Sequence, residues 1–438
     1  MFLPGMPFIK IFNNIRINYF TLIYSFYLFL LGIPYEIFSQ ENMLPSEICA
    51  DTSIKTILLH RTGWDLSMPV IFLNEEETLS LHFDYLGKPL TDYSYSIMNC
   101  DHDWKINDIS DHQFMEGFND VPIFDYYPSR NTTRLFTHYE VTIPNEEIKI
   151  LQSGNYLVKV YESADPDKII FTRRFCIAER KTVITAQIKR PDESHQEILL
   201  TIDLNELELV NPLAEIKIAV IKNYNWNDLI NISSPPLLRN NILYLDMPYQ
   251  IYAKGGNEYR YFDSKSTKFI SERVEYIDYQ APDFHFYLKT DQLKQFDPYF
   301  TSTDLNGRFF VEIPDAHDRH TESDYVYVHF ELESEQAFDA DVYVYGALTD
   351  WKTDENNFMV YNYNKKAYQK SLLLKQGYYN YSYAIRDFNQ SDLNFDITEG
   401  NHAETENDYL VFVYMTKNMR DFDRLVGYAI FNSTGQSR

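Results

Sequence analysis

Apolar residues recur at every second position along most of this chain. Successive side chains of a β-strand point to opposite faces, so a strand with one buried face shows a period of two, whereas an amphipathic helix needs apolar residues three and four positions apart. The clearest runs are Tyr156, Val158 and Val160; Ile198, Leu200, Ile202 and Leu204; Ile216, Ile218 and Val220; Val326, Val328, Phe330 and Leu332; and Leu410, Phe412 and Tyr414. This pattern predicts an all-β fold.

Turn sequences and an aromatic-rich composition support the same prediction. Turns such as Gly255-Gly256-Asn257 separate the alternating runs. The chain contains 36 Tyr and 31 Phe, residue types that favour the pleated, half-buried surface of a sheet. Short strands between turns are typical of β-sandwiches, and we predict tandem immunoglobulin-like or early-set β-sandwich domains.

The breaks between these runs divide the chain into three predicted sandwiches. The first spans residues 46–178, the middle one 179–293, and the C-terminal, early-set-like one 294–438. A charged cluster, Glu179-Arg180-Lys181, marks the first join. Each segment is close to the length of an immunoglobulin-like sandwich, which has about 100 residues.

The N-terminal residues 1–40 have the features of a signal peptide. Lys10 and Arg16 precede the uncharged, apolar run 19–33, and Ser39 is a suitable cleavage position. The run is shorter than the ~20 residues that a membrane-spanning helix needs. We therefore expect an exported chain that does not span the membrane after cleavage, with an uncleaved N-terminal anchor as the alternative.

The charge of the chain argues against two classes of partner. Lys and Arg number 39 against 64 Asp and Glu, which gives a formal net charge of −25. Binding to nucleic acid or to an anionic lipid surface relies on clustered basic residues. We therefore expect neither nucleic acid nor an anionic membrane as a partner.

The cysteine content does not indicate a disulfide scaffold. The chain has three cysteines, Cys49, Cys100 and Cys176, and no Cys-x-x-Cys spacing. Cys100 and Cys176 fall in one predicted domain, so they either pair or remain as buried thiols.

No catalytic, cofactor-binding or metal-binding residues are predicted. The chain lacks a Gly-x-Ser-x-Gly elbow and a glycine-rich phosphate loop. The cluster Asp101, His102, Asp103, Asp108, Asp111 and His112 contains residue types that ligate metals. Aspartates are equally common in solvated turns, and we favour that interpretation.

The C-terminal segment carries a second local pattern. Gly346 to Trp351 and Gly377 to Tyr381 resemble the loop and strand of early-set sandwiches that include glycogen- and starch-binding modules. The resemblance makes Trp351, Tyr379 and Tyr381 candidates for stacking on sugar rings, although packing in the core would use the same side chains.

The stretch Tyr95 to Ile177 is the most specific part of the sequence. Its motifs are Cys100-Asp101-His102-Asp103-Trp104, Glu116-Gly117-Phe118, Asp125-Tyr126-Tyr127-Pro128-Ser129, Thr137-His138-Tyr139, Ser153-Gly154-Asn155-Tyr156 and Arg173-Arg174-Phe175. In order and wording they resemble the plug protein family of the type IX secretion system of Bacteroidetes-type bacteria.

The resemblance implies a non-enzymatic periplasmic plug without a cofactor. Members of this family bind and seal the periplasmic opening of the translocon barrel in the outer membrane, which implies that barrel as the partner. A periplasmic carbohydrate-binding module protein is the alternative, and an exported hydrolase is a further one.

Aromatic residues in a loop-rich part of the first segment are the candidates for contact with a partner. Protein interfaces combine aromatic residues with a polar rim. Packing in the core would use the same residues. The candidates are Trp104, Phe114, Phe118, Phe124, Tyr126 and Tyr127.

Overall fold

The computed structural model describes residues 47–435, except 88–89, 233, 235, 315, 389–391 and 417–421. All described residues belong to one compact unit. The predicted signal peptide over 1–40 lies outside the described residues.

Nearly all regular structure is β-strand, and the predicted all-β sandwich fold is confirmed. The strands before residue 179 are β1 (Ile54–Arg61), β2 (Val70–Phe72), β3 (Leu79–Tyr85), β4 (Tyr93–Cys100), β5 (Met115–Gly117), β6 (Val121–Pro122), β7 (Tyr126–Pro128), β8 (Thr137–Ile143), β9 (Ile148–Ile150), β10 (Gly154–Glu162) and β11 (Asp165–Ala178). The next are β12 (Val183–Lys189), β13 (His195–Asp203), β14 (Ile216–Lys222), β15 (Leu237–Arg239), β16 (Ile242–Leu245), β17 (Tyr252–Lys254), β18 (Arg260–Asp263), β19 (Val274–Gln280) and β20 (Asp283–Leu288). The last are β21 (Phe309–Val311), β22 (Tyr325–Glu333), β23 (Ala340–Tyr345), β24 (Val360–Asn362), β25 (Ala367–Lys375), β26 (Gly377–Asp387), β27 (Leu393–Asn394), β28 (Asp408–Met415) and β29 (Arg424–Asn432).

Helices are short and few among the described residues. Two single-turn α-helices are α1 (Pro212–Glu215) and α2 (Arg319–Glu322). Two 3₁₀ turns cover Asp111–Gln113 and Ala347–Thr349. Asp318 caps α2 by accepting a hydrogen bond from the backbone N–H of His320.

The first sandwich packs the sheet β1-β3-β8-β7 against the sheet that contains β11, β10, β4 and β6. Leu79, Leu81 and Phe83 of β3 point into its core and are completely buried. The opposite face of β3 carries His82 and Asp84, which are also buried. A strand exposed to water on one side would leave these polar residues accessible, so another part of the chain must cover this face.

The sheet of the first sandwich continues into the middle of the chain. Strand β11 pairs with β29 at Ala178 and Leu425, β29 pairs with β28, and β28 pairs with β14. The second core therefore combines residues of 184–253 with residues of 409–431.

The third sandwich is formed by the chain between these parts. Strands β18, β21, β23 and β27 pair with β26, and they face the sheet β19-β20-β22-β25-β24. Strands β18 to β20 precede residue 293, so hydrogen bonds and cores cross the predicted boundary between 293 and 294. Division at 178/179 and 293/294 into separate domains stays a prediction.

The three cysteines are free thiols in the structure. Cys100 and Cys176 lie on the two strands that flank β10, and each is in register with Asn155. Two strand spacings separate them by about 9–10 Å, which exceeds the Cα separation of about 7 Å that a disulfide can bridge. Cys176 instead contacts the Asn155 side-chain oxygen at 3.3 Å.

Candidate functional site: an aromatic strap on the first sandwich

One irregular segment closes an open side of the first sandwich. Residues 114–128, here called the strap, contain β5, β6 and β7. Strand β6 adds to the edge of β4, with Val121 opposite Tyr95. Strand β7 adds to the edge of β8 in the other sheet, with Tyr126 opposite Tyr139. The strap therefore spans from one sheet to the other and covers two edges that would otherwise be unpaired.

Buried anchors hold the strap in place. Phe114, Met115, Val121 and Ile123 are buried in the core of the first sandwich. The side chain of Asn119 accepts a hydrogen bond from the backbone N–H of Ile97 at 2.7 Å and donates one to its C=O at 2.9 Å. This pair of bonds imitates a neighbouring strand, so the strap is fixed to β4 where regular pairing ends.

Tight backbone packing also fixes the strap at Gly117. Its φ is +110°, a conformation that side chains disfavour. A Cβ atom at this position would lie 1.9 Å from the carbonyl oxygen of Glu147. The close approach of β5 to the carbonyl group just before β9 therefore requires glycine, and the N–H of the next residue, Phe118, donates a hydrogen bond to the same carbonyl oxygen at 3.3 Å.

Four aromatic side chains of the strap face solvent. Phe118 is 76% exposed and Phe124 is 80% exposed, while Tyr126 and Tyr127 are 40% and 45% exposed. Single exposed apolar residues are common, but grouped ones are candidates for an interaction surface. Val121 and Ile123 are buried, and the alternating residues Pro122 and Phe124 therefore face solvent.

The strap aromatics lie among exposed acidic residues. Glu116, Asp120 and Asp125 are on the strap itself, and Glu146 and Glu147 are on the adjacent turn. The hydroxyl of Tyr161 donates a hydrogen bond to Asp120 at 2.6 Å. An apolar centre with a charged rim is the usual composition of a protein interface.

Two of the six predicted contact residues are packed inside the protein. Trp104 is 8% exposed and meets Trp226 edge to face at 4.8 Å, with the Arg174 guanidinium 4.9 Å from its ring. Phe114 is 2% exposed and is a core anchor. Their burial removes them from the set that we propose for contact, while Phe118, Phe124, Tyr126 and Tyr127 are accessible.

The three residues predicted to stack on sugar rings also differ in burial. Tyr379 and Tyr381 are buried, and the Tyr381 hydroxyl donates a hydrogen bond to Asp291 at 2.7 Å. Trp351 is partly exposed and lines a cavity of about 690 Å³ together with Tyr259 and Tyr345. Of the three predicted residues, Trp351 is the one that lines this cavity, whereas Tyr379 lines a smaller one of about 280 Å³.

The loop with aspartates and histidines has structural contacts. The Asp101 carboxylate accepts hydrogen bonds from the backbone N–H groups of Asp103 and Lys105, both at 2.9 Å, which is the arrangement of a turn. His102 binds Asp423 through Nδ1 at 2.7 Å. The loop therefore links the first sandwich to the segment before β29.

A histidine cluster is the feature that the sequence patterns missed. His82, His138 and His320 come together between the first sandwich and α2. Burial and the neighbouring imidazoles lower the pKa of His82 to about 2 and that of His320 to about 4. The only local signal is the alternation of polar residues at 80, 82 and 84 in a strand whose other face is apolar, and it does not identify the partners.

The fold is that of an all-β protein, and the strap gives it an exposed group of aromatic side chains. Residues 54–179, which include the whole strap, match the model of the first domain of the type 9 secretion system plug protein. This match places residues 54–179 in the type IX secretion system plug protein family and confirms the predicted resemblance. Membership indicates an envelope-associated protein of this secretion system.

A solved structure extends the similarity beyond the first sandwich. The crystal structure of a hypothetical protein from Parabacteroides merdae ATCC 43184 is 32% identical in sequence, with a TM-score of 0.84. The match covers 88% of this chain and 98% of that chain. A search of curated proteins finds no match. In the part of the chain that the structure describes, no helix is long and apolar enough to cross a membrane.

Proposed function

We propose that this protein is a non-enzymatic plug that binds and seals the periplasmic opening of the type IX translocon barrel. The observation that carries the proposal is the strap, since its exposed aromatic residues lie within the family-matched residues 54–179. The proposal places the protein in the periplasm, at the inner face of the outer membrane.

The construction of the strap suits reversible sealing by a protein surface. Hydrogen bonds to β4 and β8 and the backbone contact at Gly117 fix the strap before binding. A preorganised segment loses little conformational entropy when it binds, so more of the interaction free energy appears as affinity. Aromatic anchors of this kind include the interface residues whose truncation costs about 2 kcal/mol or more.

The acidic rim indicates the character of the partner. Glu116, Asp120 and Asp125 surround the aromatic side chains. Complementary charges speed encounter and exclude wrong partners. We therefore propose that the barrel presents an apolar pocket bordered by Lys or Arg residues, and that association weakens as ionic strength rises.

A paired set of variants tests the proposal. Phe118→Ser with Phe124→Ser removes two strap aromatics. Phe296→Ser with Phe300→Ser removes two side chains that are 90% and 80% exposed but lie outside the family-matched residues. The measurements are recovery of the barrel with a C-terminally tagged chain from native membranes in mild detergent, and entry of a small dye across the outer membrane.

The strap variant is expected to bind the barrel at least 30-fold more weakly, the equivalent of about 2 kcal/mol, and to admit dye as a gene deletion does. The 296/300 control variant is expected to behave as the unmodified chain. Equal barrel recovery by the strap variant and the unmodified chain would count against contact through the strap. Failure of the unmodified chain to recover any barrel would count against the plug function itself.

Trp351 favours a second candidate function, binding of a saccharide. It lines the cavity with Tyr259 and Tyr345, and amide side chains such as Asn225 and Asn227 line the same space. Ligand sites combine apolar walls with a few polar groups in this way. Glycan binding that Trp351→Ala abolishes would support this function, and a glycan array without binding would exclude it for the sugars tested.

A further inference from the structure

Three histidines meet in a layer between the first and third sandwiches. His82 on β3 and His138 on β8 are 5% and 3% exposed, and His320 lies on α2. One ring nitrogen from each lies within 4.8 Å of the other two. The pairing of β3 with β8 brings His82 and His138 together. Asp84 is directly opposite His138 in the register, so His82, two residues before Asp84, is the diagonal neighbour of His138 on the same face.

The hydrogen bond of His138 fixes which of its nitrogens is free to bind a cation. Its Nδ1 lies 2.7 Å from the Asp84 carboxylate. A carboxylate only accepts hydrogen bonds, so Nδ1 carries the proton. In the neutral imidazole, Nε2 therefore holds a lone pair. This carboxylate–histidine arrangement is the one that orients metal-binding histidines in proteins.

The lone pair of His138 points to His82. His138 Nε2 and His82 Nδ1 are 3.3 Å apart. Two imidazole nitrogens bound to one tetrahedral Zn²⁺ at about 2.0–2.1 Å are separated by about 3.3–3.4 Å. The same separation also fits a proton shared between the two rings, so the distance suits either a proton or a metal ion.

A fourth histidine adds a further nitrogen next to the cluster. His60 is 4% exposed and stacks on His82 with a centroid separation of 5.4 Å. Its Nδ1 lies 2.9 Å from the carbonyl oxygen of Arg61, so Nδ1 donates and Nε2 carries the lone pair. Nε2 is buried and has no hydrogen-bond partner, and the Asp65 carboxylate lies 3.9 Å from it.

The rings must turn for metal coordination. His320 stacks on His82 at 4.5 Å with an interplanar angle of 9°, and on His138 at 5.1 Å with 23°. A metal ion lies in the plane of each imidazole that binds it, so nearly parallel rings have to tilt towards a common point. His320 is the ring best able to move because it is only partly buried.

We propose that His82, His138 and His320 bind one Zn²⁺ ion, oriented by Asp84, which links β3 and β8 to α2. Imidazole ligands select late transition metals such as zinc rather than Mg²⁺ or Ca²⁺. The site fastens the third sandwich to the outer face of the first sandwich. It is independent of the strap and of the proposed plug function.

Metal analysis of the purified full chain tests the site. The chain is isolated with a tag that contains no histidine, incubated with ZnCl₂ and dialysed. The unmodified chain is expected to retain one zinc per molecule, and His320→Asn less than one fifth of that. The control is the double variant His285→Asn with His329→Asn. It alters another histidine pair, on β20 and β22, whose Nδ1 and Nε2 atoms are 2.9 Å apart. This variant is expected to retain as much zinc as the unmodified chain.

A second measurement covers the case in which His320→Asn does not fold. X-ray absorption of the zinc-loaded unmodified chain should show imidazole nitrogens at about 2.0–2.1 Å. Zinc should also raise its unfolding temperature, because the ion binds only the folded chain. The proposal would be overturned if the unmodified chain retained no zinc, or if folded His320→Asn retained as much zinc as the unmodified chain. The contact between His82 and His138 would then be explained by a shared proton.

Discussion

The strap and the histidine layer lie close together on the first sandwich and depart from ordinary burial in opposite directions. The strap exposes large aromatic side chains, with Phe118 and Phe124 at least three-quarters accessible. The layer buries ionisable side chains, since Asp84 binds His138, Lys375 pairs with Asp84, and both are almost fully inaccessible. Between them, residues 129–136 connect β7 to β8, and the N–H of Arg130 donates a hydrogen bond to the C=O of Thr321 in α2.

On the functions proposed above, the strap serves binding and the histidine layer serves assembly of the sandwiches. Exposed aromatic side chains contribute little to folding, so their truncation should affect a partner more than stability. Buried charges are stabilising only as a complete set, because each one loses its hydration. Burial by itself would raise the pKa of Asp84, but the Lys375 ammonium and His138 outweigh it and hold that pKa below its usual value. The layer should therefore control how the first and third sandwiches are held together.

The largest expected effect is from Asp84→Asn. This change removes the negative charge that pairs with buried Lys375 and with His138. Loss of one partner of a buried pair costs about 3–5 kcal/mol. We expect the free energy of unfolding in urea to fall by that amount, and less in the double variant Asp84→Asn with Lys375→Met, which leaves no unpaired charge.

Glu116→Gln is the matched control for Asp84→Asn. It removes a pair with Lys149 in which both side chains are about 70% exposed. Exposed pairs contribute little, so the unfolding midpoint should stay within experimental error. Equal effects of the two substitutions would contradict the distinction between the strap and the layer.

Gly117→Ala is expected to have the next largest effect. A Cβ atom would force β5 away from the Glu147 carbonyl and place alanine at positive φ. We expect the free energy of unfolding to fall by about 3 kcal/mol, the upper range for a strained backbone, and the barrel affinity to fall with it.

Gly63→Ala is the control for Gly117→Ala, since φ is +81° there but nothing lies within 4 Å of the new Cβ. It should cost only the ~1–2 kcal/mol of the left-handed conformation and leave barrel binding unchanged. An equal loss in both variants would show that contact with Glu147 does not shape the strap.

The smallest expected effect is the pH dependence of the His102–Asp423 pair. The hydrogen bond to Asp423 and the nearby charges of Asp103 and Asp423 raise the pKa of His102 despite burial. The stabilisation from His102 is complete below its unfolded pKa of about 6.5 and disappears as the pH rises through the higher folded pKa. Although burial alone would raise the pKa of Asp423, hydrogen bonds from His102 and Thr416 lower it, so its contribution disappears only as the pH falls through that lowered value.

His102→Asn measures this contribution. The loss of stability, on the order of 0.5–1 kcal/mol for a partly exposed pair, should be greatest between about pH 4 and 6.5 and should shrink above the folded pKa of His102. Urea unfolding at several pH values gives the result. A loss that is constant with pH would show that His102 acts by packing against Tyr414 instead of by charge.

The interior of each strand was predictable because the information is local. The apolar residues Leu200, Ile202 and Leu204 lie in a core, as their alternation predicts. The motifs between Tyr95 and Ile177 identified the family, since they lie wholly within the matched region. The sequence patterns did not distinguish Phe114 from Phe118, four residues apart, one of which anchors the strap while the other faces solvent.

The amino-acid sequence by itself determined the all-β class and the family, because period-two alternation and short motifs are properties of neighbouring residues. Only the tertiary structure decided that strands β28 and β29 complete the second core, and that His320 meets His82 and His138. Both results depend on packing between surfaces far apart in the chain. The polar face of β3 could be assigned only when α2 and its neighbours were seen to cover it.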